Sequence, residues 1–513
     1  MTTAAILQNT FIALISLFIT GGVGSLFFRK SDRLANAWSS IFAICASMTG
    51  LLFAALIFLH NQTLSFSFDM IAAPMFSISF HIDELSAFFI FTISLISLFC
   101  SLYAIGYAKH FYGKYNIGAL GFFYHTFILG MIAVVSGNNA LFFLIGWELM
   151  SIASYFLVVY DRNDNNNVKA GFLYLVMTHV GTAFIMLAFL LAYKFTGSFD
   201  FTVIAGAASA IPPLVKNSIF VLAVIGFGTK SGIIPFHIWL PDAHPAAPSH
   251  VSALMSGVMI KTGIYMMMRI FLGILWPFPV WWGLVLITLG GISSLLGVLY
   301  ALTEHDIKRL LAYHSIENIG IILLGLGSSL AFLSLNMPSL ALLGLTASLF
   351  HTINHALFKS LLFLGAGSVI NQTHTRNMEE YGGLIKRMPQ TAFFFLIGSM
   401  AISALVPFNG FFSEWLTFQS LFLGIASSTV FVKWVFILAA GSLAFTGGLA
   451  LACFVKVFGV VFLARPRSSE ASHAKESSFW LQAGMAPIAL LCLLFGLFSP
   501  KIIMLFFLRV CMM

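Results

Sequence analysis

Residues 226–235 read Gly226-Phe227-Gly228-Thr229-Lys230-Ser231-Gly232-Ile233-Ile234-Pro235, directly after the apolar run Ile219-Phe220-Val221-Leu222-Ala223-Val224-Ile225. The run begins as a membrane helix, and three glycines and a proline then interrupt it. Proline removes a backbone donor and glycine loosens the helix, so the stretch predicts a break near Ser231–Pro235. Irregular backbone survives at membrane depth only under cover of protein or beside a water-filled cavity. Lys230 stands at the break. A lysine at bilayer depth costs roughly 2.5–3.5 kcal/mol on insertion scales, which makes it a functional marker. The next apolar stretch, from Ser249 to Arg269, carries Lys261 in the same setting. Two lysines around one interrupted helix point to a site that handles protons or other cations.

The rest of the chain has the same character. Of its 513 residues 60% are hydrophobic and 8% charged, with a mean hydropathy of +0.99. That composition excludes an ordinary soluble domain and predicts an all-α polytopic membrane protein. About fourteen spans of roughly 20 apolar residues fit the sequence. They lie near 5–28, 36–60, 83–106, 117–136, 139–160, 168–193, 217–240, 249–270, 280–302, 309–330, 340–370, 391–424, 431–464 and 481–508. Lysines and arginines crowd alternate gaps, as at Arg29, Lys30, Arg33, Lys109, Lys114, Arg162, Lys386, Arg387, Arg465 and Arg467. The opposite gaps and span ends hold only Lys194, Lys216, Arg269, Lys433, Lys501 and Arg509. This bias predicts a multi-pass protein of the cell inner (plasma) membrane with both termini outside. The net charge of +8 is then topological and implies no nucleic-acid partner. The N-terminus lacks a basic region before its first span, so no cleavable signal is expected. Cys45, Cys100, Cys453, Cys492 and Cys511 stand singly in apolar runs, without ligand spacing. No metal site, no bound cofactor and no redox centre of the chain's own is expected.

Three further patterns carry chemistry. Glu148, in Gly146-Trp147-Glu148, is a lone carboxylate within an apolar span and needs a partner or a proton, with Lys230 the candidate partner. A static ion pair locking two helices is the plainer reading of that pair. His351, His355 and Lys359 are spaced by four, which places them along one helix face about 6 Å of rise apart. That ladder suits a water-bridged proton relay, because imidazole accepts and donates near neutral pH. Ala404-Leu405-Val406-Pro407-Phe408-Asn409-Gly410-Phe411-Phe412-Ser413-Glu414 is a second interrupted span with one charge beside it. It lies five spans after the first, hence runs the opposite way, which predicts two inverted five-helix repeats. The expected organisation is helices 1–3 in 1–116, spans 4–8 in 117–270, spans 9–13 in 280–465, and a loop and span 14 in 466–513. In the link Leu302-Thr303-Glu304-His305-Asp306-Ile307-Lys308-Arg309-Leu310-Leu311-Ala312-Tyr313-His314-Ser315 between spans 9 and 10, the charges are expected to be mostly a solvated loop with capping duty. His244 and His250, around a Pro-rich turn, are candidates to line a cytoplasmic access route. Lys456 either faces a cavity or reaches toward an interface.

At these residues the chain resembles the antiporter-like proton-translocating membrane subunits of complex I and of membrane-bound hydrogenases. The resemblance rests on Gly146-Trp147-Glu148, on Thr229-Lys230-Ser231 leading to Pro235-Phe236-His237-Ile238-Trp239-Leu240-Pro241-Asp242-Ala243-His244, on Asp306-Ile307-Lys308-Arg309-Leu310-Leu311-Ala312-Tyr313, and on His355-Ala356-Leu357-Phe358-Lys359. Within that family the hydrogenase-4 and formate hydrogenlyase branch is most similar, at His314-Ser315-Ile316-Glu317-Asn318-Ile319-Gly320 and Asn409-Gly410-Phe411-Phe412-Ser413-Glu414. The resemblance implies fourteen helices and proton translocation through Glu148, Lys230, Lys261, His351, His355, Lys359 and Glu414. It implies other membrane subunits of an oxidoreductase complex of NADH dehydrogenase or hydrogenase type as partners, with electrons travelling elsewhere. The alternatives are a subunit of a multi-subunit sodium/proton antiporter and the proton-conducting partner of an inorganic-carbon uptake system. Val406 stands where relatives often have a second proline, and they often carry further helices beyond span 14.

Overall fold

The computed structural model describes residues 3–69, 77–427 and 429–504. Among them thirteen helices are long and apolar enough to cross a membrane. In chain order, spans 1–8 are Thr3–Phe27, Asp32–His60, Glu84–Phe111, Ile117–Ser136, Ala140–Val158, Asn165–Thr196, Pro213–Ser231 and Ser249–Ile274. Spans 9–11 are Trp281–Thr303, Ile307–Ser334 and Pro338–Thr373; spans 13 and 14 are Val430–Phe462 and Phe479–Leu497. Span 12 is the fourteenth, divided into Pro389–Ile402 and Asn409–Ser427. The expected end of span 14 at 508, like Arg509 and Cys511, lies outside the described residues.

The chain folds as two compact units. The first holds Met1–Leu98, Phe111–Ser231 and Val258–Phe278; the second holds Phe99–His110, Gly232–Gly257 and Pro279–Met513. Their internal packing follows one scheme. In the first unit span 4 packs on 5, 5 on 6, 6 on 7, and the helix Ile260–Met268 of span 8 on both 4 and 7. In the second, span 9 packs on 10, 10 on 11, 11 on 12, and span 13 on both 9 and 12. Sets five spans apart with the same pairing are the pattern of inverted repeats.

Both interruptions fall where proline and glycine place them. Span 7 stops at Ser231, and Gly232 takes a positive φ of 75° that a side chain would oppose. Freed backbone donors find partners: Ile234 N donates to Ser293 Oγ of span 9 at 3.1 Å and Leu240 N to His237 O at 2.9 Å. A short helix, Leu240–Ala246, follows. In span 12 the break runs over Ser403–Phe408, where Leu405 N donates to Met400 O at 3.1 Å. Asn354 of span 11 supports it by donating to Asn409 O at 2.9 Å. Gly410 lies so close to the Ala401 carbonyl that any Cβ there would collide with it.

Spans 9 and 10 pack backbone to backbone. A Cβ at Gly290 would sit 2.7 Å from Gly320 O, and one at Gly297 2.7 Å from Glu317 N. Gly283 and Gly327 repeat the approach one heptad further along, so glycine every seventh residue forms the seam.

The span 2–3 connection departs from an all-helical pattern. Leu64–Asp69 (β1) and Ser77–Ile82 (β2) form an antiparallel hairpin with Phe66 opposite Phe80. Their rings stack at 4.9 Å, and Phe80 meets Phe11 of span 1 at 5.3 Å. The link 303–309 also differs from a solvated loop. Asp306 caps span 10, but Lys308 is buried, donating to Ala247 O at 2.7 Å and Ser252 Oγ at 3.2 Å. His244 and His250 are buried rather than lining an open route. Lys456 reaches the end of span 9, donating to Leu302 O at 2.9 Å and Glu304 O at 3.2 Å.

Candidate functional site

In the first unit Lys230 is fully enclosed on the last turn of span 7. Its Nζ donates to Ser151 Oγ at 2.8 Å and to Tyr174 OH at 2.9 Å. Ser154 Oγ lies 2.6 Å from the same phenol. The ammonium also sits 5.2 Å from the Tyr174 ring centre and 5.6 Å from that of Trp147, within cation–π range. Hydroxyls and ring faces from spans 5 and 6 thus hold the charge.

Glu148 does not touch Lys230. Its Oε1 accepts from Thr182 Oγ1 at 2.6 Å, and its Oε2 lies 3.3 Å from His179 Nε2. Glu148 stands on the side of span 5 that carries exposed Ile145 and Leu149, and its carboxylate meets span 6 there. The Glu148 side chain is 27% exposed and that of His179 49%, so this pair borders the outside of the unit. Lys261 is fully buried on the helix Ile260–Met268, between π-helical turns at Met255–Met259 and Arg269–Ile274. Such turns recur at functional sites.

The second unit gathers the other candidates. His351, His355 and Lys359 lie on one uninterrupted helix and none reaches solvent. His351 Nδ1 is 2.9 Å from Ser413 Oγ of span 12, and its Nε2 is 3.1 Å from Asn318 Oδ1 of span 10. Lys359 Nζ donates to Leu311 O at 3.0 Å. Span 10 adds a buried acid–base pair, His314 Nδ1 against Glu317 Oε2. Glu414 is buried one residue beyond Ser413, with Oε2 directed toward Gly447 of span 13. Spans 10, 11 and 12 thus join Asn318, His351 and Ser413 by hydrogen bonds, and His314, Glu317, His355, Lys359 and Glu414 are buried on the same three spans. Among the described residues, no group of three or more His, Cys, Asp or Glu side chains could hold a metal ion.

Sequence reasoning found the lysines and the ladder but missed their polar partners. Ser151, Ser154 and Tyr174 carry no local signature, because they reach Lys230 from other spans. The His314–Glu317 pair did carry one, an i,i+3 spacing on a single helix.

The transmembrane family described as NADH:quinone oxidoreductase/Mrp antiporter matches residues 137–443. Hydrogenase-4 component B of Escherichia coli (strain K12) is 44% identical over 495 residues, 95% of this chain and 72% of that protein. Formate hydrogenlyase subunit 3 of the same organism is 38% identical over 429 residues, 84% of this chain and 68% of the relative. A chain of the membrane-bound sulfane sulfur reductase, an archaeal respiratory membrane complex, superposes with a TM-score of 0.79 at 26% identity, covering 94% of this chain and 75% of that one. With the family match spanning both interrupted helices, and with relatives this similar along almost its whole length, the chain belongs to the NADH:quinone oxidoreductase/Mrp antiporter family of membrane subunits.

Proposed function

We propose that this protein conducts protons across the inner membrane as the antiporter-like subunit of a multi-subunit respiratory-type complex of hydrogenase-4 or NADH:quinone oxidoreductase kind. The observation that carries the reading is the buried acid–base series of spans 10–12, His314, Glu317, His351, Lys359 and Glu414, within which His351 is held by the Ser413 hydroxyl and the Asn318 amide. Ionisable groups at such depth are costly, and proton relays are where membranes retain them. In this reading Lys230 and Glu148 form the coupling pair, acting through space rather than by contact. Protons pass by Lys261, then His355, His351 and Lys359, to Glu414. The half-exposed Glu148–His179 pair lies on an otherwise apolar face, so a neighbouring membrane subunit covers it and perturbs Glu148's charge. Both termini face outside, on the lysine and arginine bias between the spans.

The test is proton flux in proteoliposomes holding the complex, purified through a tag on this chain. A potassium diffusion potential drives the flux and trapped pyranine reports it. Lys230→Ala and Glu148→Gln should each abolish most of it; wild-type flux in both variants overturns the reading. A sodium/proton antiporter subunit is the second reading, favoured by a family description that includes such antiporters. Sodium-dependent flux in the same vesicles would select it.

A further inference from the structure

The proton path above uses Lys261 as a station between others, but Lys261 begins a second series that the path leaves idle. Lys261, Tyr265 and Arg269 follow one another at i, i+4 and i+8 on span 8, so they climb one side of the helix. From Tyr265 outward the hydrogen bonds are continuous. The Tyr265 hydroxyl lies 3.0 Å from Ser86 Oγ and donates to Val135 O at 2.9 Å. Arg269 Nη2 donates to Tyr265 OH at 3.2 Å, to Ser86 Oγ at 3.0 Å and to Asp83 Oδ1 at 2.7 Å. Asp83 also accepts from Ser86 N at 2.9 Å. All these groups belong to the first unit.

The series ends at a cavity of about 170 Å³ whose lining includes His81, Asn138, Thr202, Tyr265 and Arg269. Thr202 is exposed, so the cavity meets the surface at the hairpin end of the unit. It has room for several waters. His81, on β2, stands 2.9 Å from Ser65 Oγ through Nδ1, and burial holds its imidazole below the usual histidine range. It therefore presents a neutral ring to the cavity.

We infer that Tyr265 forms a second proton passage, connecting Lys261 to the cavity beside the hairpin within the first unit alone. The step is a relay: the Tyr265 oxygen receives a proton from the Lys261 side as its own proton passes to a cavity water. Rotation of the hydroxyl, which donates to Val135 O at rest, resets the wire, while Ser86 Oγ, 3.0 Å away, holds the phenol oxygen in place. Arg269 holds the geometry, and Asp83 neutralises its charge, so the pair adds no net barrier to a cation. The alternative is an ion pair that only fastens span 8 to the start of span 3.

This inference rests on Lys261 carrying protons, and two variants separate the claims. In proteoliposomes bearing the complex, Tyr265→Phe keeps the ring but removes the relay hydroxyl and should lower proton flux at least five-fold. Lys261→Ala should lower it as well. Loss with Lys261→Ala but wild-type flux with Tyr265→Phe overturns the passage and spares the main path. Wild-type flux in both overturns the passage together with the role of Lys261. Should Tyr265→Phe fail to assemble, Ser86→Cys in a Cys45→Ser background decides. Modification by a membrane-impermeant methanethiosulfonate from the hairpin side alone, with block of flux, supports a wet passage. No modification from either side overturns it.

Discussion

The most discriminating prediction concerns what holds the charge on Lys230. Tyr174→Phe removes the hydroxyl that accepts from Nζ at 2.9 Å and leaves the ring at 5.2 Å in place. A hydrogen bond to a charged group is worth about 1.5–3 kcal/mol. At 1.4 kcal/mol per tenfold, its loss makes the charged state about 10- to 150-fold less populated. Proton flux limited by that state falls by the same factor. Ser151→Ala removes the second acceptor and is expected to match it. The double variant should cost less than the sum, because one site cannot be emptied twice. The assay is pyranine-reported flux in proteoliposomes at fixed driving potential, with complex assembly checked by co-purification. Wild-type flux in Tyr174→Phe and in Ser151→Ala, alongside an inactive Glu148→Gln, would refute the reasoning. The ammonium would then answer to the distant carboxylate, and the hydroxyls would be packing.

Three other outcomes are expected. Thr182→Val deletes the 2.6 Å hydrogen bond to Glu148 and, at about 1.5–3 kcal/mol, should reduce flux roughly tenfold or more while thermal unfolding of the complex changes little. Gly410→Ala drives a methyl into the Ala401 carbonyl and should destabilise the span 12 break by about 1–3 kcal/mol, read as a lowered unfolding temperature. Asp83 predicts an acid limit: burial would raise its pKa, but the Arg269 guanidinium beside it outweighs that and holds the carboxyl below its ordinary 3.8. A carboxyl lowered on folding adds stability above about pH 4 and loses it as pH falls through the folded value. Unfolding temperature should therefore drop below about pH 4. Asp83→Asn should unfold more easily near neutral pH, where Arg269 loses its charged partner, and its acid limb should be flatter so that the two curves converge at low pH.

The features legible in the sequence are those written locally. Proline and glycine marked both breaks, since they act on their own backbone, and the spacing of His351, His355 and Lys359 marked a face of one helix. What escaped depends on residues far apart in the chain. Lys230 lies 56 residues from Tyr174 and 79 from Ser151, so no window contains the cage. Glu148 was paired with Lys230 by charge alone, whereas its helical direction delivers it to Thr182 and His179. Lys308 reads as a loop cation, yet the carbonyl end of the short helix Leu240–Ala246 has unpaired acceptors that draw it inside. The hairpin was legible in principle: Leu64-Ser65-Phe66-Ser67-Phe68 alternates as a strand does, but it lay between spans in a chain read as wholly helical.

The glycine seam between spans 9 and 10 constrains how this molecule can work. Where Gly297 meets Glu317 N and Gly290 meets Gly320 O, neither helix can slide or roll without backbone collision. These two spans act as a stator. Glu317 rides on it beside Gly297, so the rearrangements this packing leaves open at the acid are side-chain rotation and reordering of water. Sliding of span 9 along span 10 is closed, and any larger motion carries the two as one block.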